Sequence, residues 1–153
     1  MAHVFRRATA ADLPAIIALL ADDPLGRLRE GGASPPDPRY VAAFAAIDAD
    51  PNQLLAVVER DGEVIGCLQL GFLPGLSRLG MWRGQVESVR IAAGHRGGGL
   101  GRAMIEWAIE QCRARGCGLV QLTSDKSRAD ALRFYESLGF RASHEGMKLD
   151  LGP

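Results

Sequence analysis

Residues 95–104 read HRGGGLGRAM. An arginine, three consecutive glycines and a fourth glycine at Gly101 stand directly ahead of an apolar run with helical spacing. A turn from strand to helix needs one or two glycines to reach positive φ. It does not need four of them behind an arginine. The first N–H groups of a helix have no internal acceptor, and the helix dipole adds partial positive charge there. Glycines without Cβ let a bound group come up to those amides. This pattern predicts an anion seat suited to a pyrophosphate. Two familiar phosphate loops fail the comparison. A P-loop needs a lysine and a hydroxyl residue after its last glycine, and here Arg102 and Ala103 follow Gly101. A dinucleotide fingerprint fits poorly, and Gln121 stands where its acidic residue would be sought.

The elements around this turn follow from periodicity. HVFRRA alternates as a first strand. TAADLPAIIALLADD reads as a helix, with Thr9 and Asp12 as its capping pair and Leu13, Ile16, Ile17 and Leu20 on one face. Residues 22–40 are rich in Pro, Gly and charge and read as a long functional or mobile loop. A second helix follows, with Tyr40, Val41, Phe44 and Ile47 on one side and Pro51 as its stop. Two apolar runs flank Asp61-Gly62, a favoured two-residue hairpin turn. WRGQVESVRIA is the strand leading into the glycine turn. The helix after it spans about residues 99–115, with Leu100, Met104, Ile105, Ala108, Ile109 and Cys112 as its apolar face. LVQLTS carries no charge, as expected of a strand inside a sheet. A last helix ends at Gly139, and MKLDL alternates as a final strand. Three consecutive strands break any doubly wound alternation. The order predicts a mixed α+β fold, a mostly antiparallel sheet with helices on both faces.

Residues 1–153 suit one domain with one core. A net charge of zero argues against nonspecific nucleic-acid binding as the main task. No segment approaches the length that spans a bilayer, so no membrane role is expected. Cys67, Cys112 and Cys117 have no metal-ligand spacing and read as reduced packing thiols of a cytoplasmic protein. No metal is expected.

The stretch from Val86 to Leu122 and the later ALRFYESLGF together resemble the GCN5-related N-acetyltransferase (GNAT) family. Arg96, Gly99 and Gly101 match its first signature. The aromatic–tyrosine pair before Leu-Gly-Phe matches its second. The specific motifs cover residues 86–140, and the earlier chain agrees only in topology. The resemblance implies the acyl-CoA N-acyltransferase fold, with its sheet splayed at the CoA site, and acetyl-CoA as donor. In that reading the backbone of Arg96, Gly97, Gly98, Gly99, Leu100, Gly101 and Arg102 holds the pyrophosphate. The pantetheine arm lies along the strand at Val89, Arg90 and Ile91.

Acetyl transfer needs a neutral amine, a donor for the oxyanion and a proton for the departing thiolate. Glu87 lies nine residues before Arg96, the spacing of the family's frequent base. Among apolar strand neighbours it would be partly desolvated, which suits a proton acceptor. The alternative is a structural carboxylate paired with Arg83 or Arg90. Tyr135 matches the family's tyrosine aimed at the thioester sulfur and is the general-acid candidate. Its alternative is a core aromatic. The family's frequent asparagine ahead of this helix is Arg128 here, either a CoA contact or a bystander to capping by Ser127 or Asp125.

The acceptor side would be shaped by residues 22–40 and by the connection after Leu73. Charges of both signs occur there, and no stripe of one sign points to a basic or acidic partner. A small primary amine is the expected acceptor. A protein lysine or N-terminal amine, or a non-catalytic acyl-CoA sensor module, are the rivals. Homodimers are common among similar proteins.

Overall fold

A computed structural model describes residues 2–153. β1 (Val4–Arg7) leads through a 3-10 turn (Ala10–Asp12) into α1 (Leu13–Ala21). The spacing-based cap forms as expected: the Thr9 N–H donates to Asp12 Oδ2 at 2.7 Å, and the Thr9 hydroxyl does so at 3.2 Å. A short helix, α2 (Gly26–Arg29), sits inside the long loop, followed by α3 (Pro38–Ala49). β2 (Gln53–Arg60) and β3 (Glu63–Leu73) form the hairpin. Asp61 and Gly62 both take positive φ, 52° and 79°, as a primed two-residue turn requires. A single turn, α4 (Ser77–Gly80), precedes β4 (Arg83–Ile91). α5 (Leu100–Ala114), β5 (Leu119–Gln121) and α6 (Ala129–Ser137) complete the order.

The sheet runs β1-β2-β3-β4-β5, antiparallel except for the parallel β4–β5 pair. The alternation of β2 divides its side chains between two cores. Leu55 and Val57 pack with Ile16, Leu19 and Cys67 beneath α1, joined by Phe44 and Ile47 of α3. Ala56 and Val58 pack on the opposite face with Leu68, Leu70, Leu100, Met104 and Ile105. Helices therefore cover both faces, and the α+β expectation holds. α5 lies so close to β4 that a Cβ at Gly84 would collide with Cys112 Sγ. Trp107 of α5 stacks on Phe5 of β1, with centroids 5.4 Å apart.

Four expectations fail. β5 is an edge strand rather than an interior one, so its lack of charge does not reflect burial between two neighbours. MKLDL pairs with no strand among the described residues: every residue from 141 to 153 is exposed and outside regular structure. Val41 faces solvent. Tyr40 serves the loop rather than the core, because its hydroxyl donates to Glu30 Oε1 at 2.7 Å and accepts the Gly31 N–H at 2.8 Å.

Candidate active site

β4 and β5 pair over three residues only, Arg83 with Leu119, Gly84 with Val120 and Gln85 with Gln121. The Gln121 amide donates to Gln85 Oε1 at 2.8 Å and closes the last rung. β4 then continues to Ile91 with β3 on one side and, among the described residues, no strand on the other. Its register against β3 slips between Cys67 and Gln69, opposite Ser88, which takes φ 55°. A bulge of this kind bends a strand and re-aims its side chains. Main-chain N–H and C=O groups of residues 86–91 thus line an open edge, where an extended amide-bearing chain can add as a strand.

That edge runs into the glycine turn. Gly97 and Gly99 both take φ 84°, so glycine suits the backbone itself there. Gly98 is different. Its φ lies outside the left-handed range, and a Cβ built on it meets nothing within 4 Å. Nothing inside the protein requires glycine at that position, whereas a group lying over the turn would. Gly99 gives α5 no side-chain cap, and the first turn closes only at the Ala103 N–H, which donates to Gly99 O at 3.1 Å. The residues fit a pyrophosphate.

The remaining members of the expected cofactor set divide. Arg96 is exposed; its Nε donates to Ile91 O at 3.1 Å, and its guanidinium lies 3.8 Å from Asp22. Arg102 pairs with Glu106 at 3.3 Å, one turn along the helix. Gly101 faces inward, where a Cβ would sit 3.3 Å from Ile91 and 3.4 Å from Phe134. Its glycine lets α6 approach α5. Arg128 takes the N-cap position of α6 but provides no side-chain cap. Asp125 closes a turn instead by accepting the Ser127 N–H and hydroxyl.

Glu87 lies on β4 at the bulge and is exposed, so the expected desolvation is absent. No ion pair joins it to Arg83 or Arg90 among the described residues. Arg90 turns to Asp23, 3.1 Å away. Tyr135 is half-buried against Phe134 and Phe140, with centroids at 5.1 Å and 5.8 Å. Burial pushes its phenol above the ordinary value, while Arg128 and Arg90 pull it back. The same two arginines, behind the Gly26 N–H hydrogen bond, help hold the Asp23 carboxyl below its usual range. Asp23, Arg90, Arg128 and Tyr135 therefore share one electrostatic neighbourhood.

On the α1 side of the bulge lies an apolar cavity of about 150 Å³, lined by Leu13, Ile17, Tyr40, Phe44, Gln69 and Ser88. Cys67 also borders it, and burial pushes its thiol up to about 12. The Cys112 thiol is pushed up to about 11 for the same reason. All three cysteines are free, and such thiols are poor nucleophiles. Among the described residues no group of side chains could hold a metal, and no helix is long and apolar enough to cross a membrane.

Two site features were missed in the sequence. The Ser88 bulge had a signal: the apolar phase of VESVRI slips from Val86 to Val89 and Ile91. The Asp23–Arg90 contact had none, because it joins residues far apart in the chain.

A splayed sheet with an uncapped, glycine-led helix beside the open strand defines an acyltransferase-type fold. The chain matches the acetyltransferase (GNAT) family over residues 14–140 and belongs to that family. Among curated proteins it is 40% identical over 90 residues to glucosamine 6-phosphate N-acetyltransferase of Trypanosoma brucei brucei, covering 59% of each chain. It is 34% identical over 101 residues to aminoalkylphosphonate N-acetyltransferase of Salmonella typhimurium, covering 66% of this chain and 65% of that one. The matches thus span less than two thirds of either relative. Among solved structures, a protein described as a transcriptional regulator from Bacillus halodurans C-125 superposes with a TM-score of 0.95 at 47% identity. That match covers 98% of this chain and 100% of that one. A Trypanosoma brucei acetyltransferase superposes at 0.79 with 32% identity, covering 98% and 100%.

Proposed function

We propose that this protein transfers an acetyl group from acetyl-CoA to the primary amine of a small molecule, by direct attack on the thioester. The observation that carries this reading is the open β4 edge of residues 86–91 running into the uncapped start of α5. The edge suits the amides of a pantetheine arm, and the α5 amides suit the pyrophosphate. Acetyl-CoA, when bound, supplies the thioester carbonyl.

The chain's own residues then divide the work. Glu87 takes, directly or through a water, the proton that the amine loses as its nitrogen bonds to the carbonyl carbon. Tyr135 Oη gives a proton to the sulfur as the carbon–sulfur bond breaks. A half-buried phenol with a raised pKa stays protonated at neutral pH and is ready to donate. Holding amine and thioester together supplies much of the acceleration. Arg128 stands in reach of the same neighbourhood in place of the family's frequent asparagine.

The two curated relatives named above carry small amines in their names, which agrees with that reading. Calorimetry with acetyl-CoA, followed by a thiol-release assay across an amine panel, tests it. Binding and amine-dependent thiol release are expected. Absence of acetyl-CoA binding overturns the reading, and binding without turnover favours the sensor module.

A further inference from the structure

α5 ends in a left-handed stop. Gly116 takes φ 77°, its N–H donates to Arg113 O at 3.0 Å, and the Cys117 N–H donates to Cys112 O at 3.0 Å. This pair of bonds closes a helix C-terminus and brings the side chains at its two outer positions together, usually as an apolar contact. Here both positions carry thiols. Cys112 and Cys117 hydrogen-bond to each other, and both are free. The contact lies beneath the start of the β4–β5 pair. Cys112 Sγ sits against the main chain of Gly84, which pairs with Val120. The residue after Cys117 is tied to the same place, because the Gly118 N–H donates to Trp82 O at 2.8 Å.

The two thiols are unequal. Cys112 is 1% exposed, whereas Cys117 is only half-buried. Burial pushes the Cys112 thiol up to about 11, and the charge and hydrogen bond of Cys117 add to that. Burial also raises Cys117, but the Cys112 hydrogen bond and Arg115 pull it back. One hydrogen bond with opposite effects on its two partners means that the Cys112 S–H donates to Cys117 Sγ, so Cys117 ionises first. A thiolate attacks a disulfide, and a second thiol already in contact completes the exchange. Cys67 has no such neighbour. It is buried on the opposite face of the sheet, and its thiol donates to Ser88 O at 3.7 Å.

We propose that Cys112 and Cys117 form a reversible dithiol–disulfide pair, oxidised in place by a low-molecular-weight disulfide. The Cys117 thiolate attacks one sulfur of the small disulfide, whose sulfur–sulfur bond breaks. A mixed disulfide forms, and the first small thiolate leaves and takes up the proton that Cys117 gave up. Cys112 then loses its proton, and its sulfur bonds to Cys117 Sγ as the second small thiol departs with a proton. Two protein thiols are oxidised and one small disulfide is reduced to two thiols. The main-chain bond between the same two residues already holds their Cα atoms close, as a disulfide requires. The new bond fastens the end of α5 to the start of β5, beside the short β4–β5 pair from which the open edge departs.

The test is a thiol map of the reduced, folded chain after exposure to 2-hydroxyethyl disulfide at mildly alkaline pH. Free thiols are then alkylated under denaturing conditions and the chain is cut with trypsin. Cleavage after Arg102, Arg113, Arg115 and Lys126 puts the two cysteines on separate peptides. Wild type is expected to yield peptides 103–113 and 116–126 joined by a disulfide, with Cys67 alkylated. Dithiothreitol is expected to release them. Cys112→Ala is expected to stop at the adduct on Cys117, and Cys117→Ser to leave Cys112 unmodified. Hydrogen exchange at residues 117–121 is expected to be at least threefold slower in the oxidised wild type than in the reduced one. A stable adduct on Cys117 in wild type overturns the proposal. So does alkylation of both thiols, a linkage through Cys67, or exchange that oxidation leaves unchanged. Should Cys112→Ala fail to fold, the wild-type map and Cys117→Ser decide.

Discussion

Arg90 Nε lies 3.1 Å from Asp23 Oδ2, with the two side chains 13% and 19% exposed. This contact joins the open half of β4 to the loop between α1 and α2. Asp23 also accepts the Gly26 N–H at 2.5 Å and so orders the start of α2. Arg96 repeats the connection more loosely, reaching Asp22 at 3.8 Å while its Nε holds Ile91 O. The loop between α1 and α2 is therefore pinned to the open half of β4. A charge pair this far from solvent is costly to break, because the remaining partner keeps its desolvation without its attraction.

Asp23→Asn keeps the shape and the Gly26 hydrogen bond but removes the charge facing Arg90. Stability is expected to fall by about 2 kcal/mol, somewhat below the roughly 3–5 kcal/mol for removing one partner of a fully buried ion pair. Urea denaturation measures it. In the proposed reaction this loop would border the amine, so KM for the amine is expected to rise more than kcat falls. An unchanged midpoint would show that the Arg90 contact contributes nothing to the fold.

The glycine turn separates two kinds of glycine. Gly98 is free of both left-handed backbone and steric crowding. Gly98→Val is therefore expected to leave thermal stability within about 0.5 kcal/mol, as at an unconstrained surface site. Its affinity for acetyl-CoA is expected to fall at least tenfold. Gly99→Val should also lose about 1–2 kcal/mol of stability, because φ 84° burdens a side chain with Cβ strain. Thermal melts with and without acetyl-CoA separate the two effects.

Periodicity found the elements because burial on one face of a helix or strand leaves its mark locally. The α5 face, the Asp61-Gly62 turn and the Thr9–Asp12 cap all depend on neighbours within a few residues. What escaped depends on partners elsewhere. MKLDL has the pattern of a strand, but pattern alone does not supply a neighbour for it. LVQLTS lacks charge, yet that does not distinguish an interior strand from an edge strand. Glu87 was placed by its spacing from Arg96, whereas its exposure follows from the bulge at Ser88 and the departure of β5.

Glu87→Gln removes a proton acceptor while keeping size and hydrogen-bonding reach. The expected result is a 10²–10⁴-fold lower kcat, roughly the usual contribution of general-base catalysis, with acetyl-CoA affinity unchanged. Steady-state rates and calorimetry on one preparation check both halves. Wild-type kcat in Glu87→Gln would assign the proton to solvent or to another group.

Tyr135→Phe retains the ring contacts with Phe134 and Phe140 and deletes only the hydroxyl. Folding is expected to be unaffected, and kcat to fall about 100-fold. Burial raises the phenol's pKa, so the wild-type rate should show no loss from Tyr135 ionisation until pH exceeds the ordinary tyrosine value of about 10. Acceptors with differing amine pKa values shift the acidic limb of the profile and leave this one in place. A wild-type limb that Tyr135→Phe abolishes near pH 8 would contradict the raised phenol.

Asp12 governs the acid stability of the same scaffold. Arg6 donates to both its oxygens, at 2.8 Å and 3.0 Å, and Thr9 adds its N–H at 2.7 Å. The Arg6 hydrogen bonds, opposed by burial, hold this carboxyl below its usual value. An unfolded Asp12 titrates at about 3.9. A depressed folded value means that the unfolded chain binds the proton more readily. The stabilisation is therefore complete above about pH 5 and is lost as pH falls through the depressed value. Asp12→Asn is expected to cost about 2 kcal/mol at neutral pH and to flatten the acid limb of the stability curve. Denaturant midpoints of wild type and variant from pH 7 down to 3 measure this. Parallel curves across that window would remove Asp12 as the source of the acid dependence.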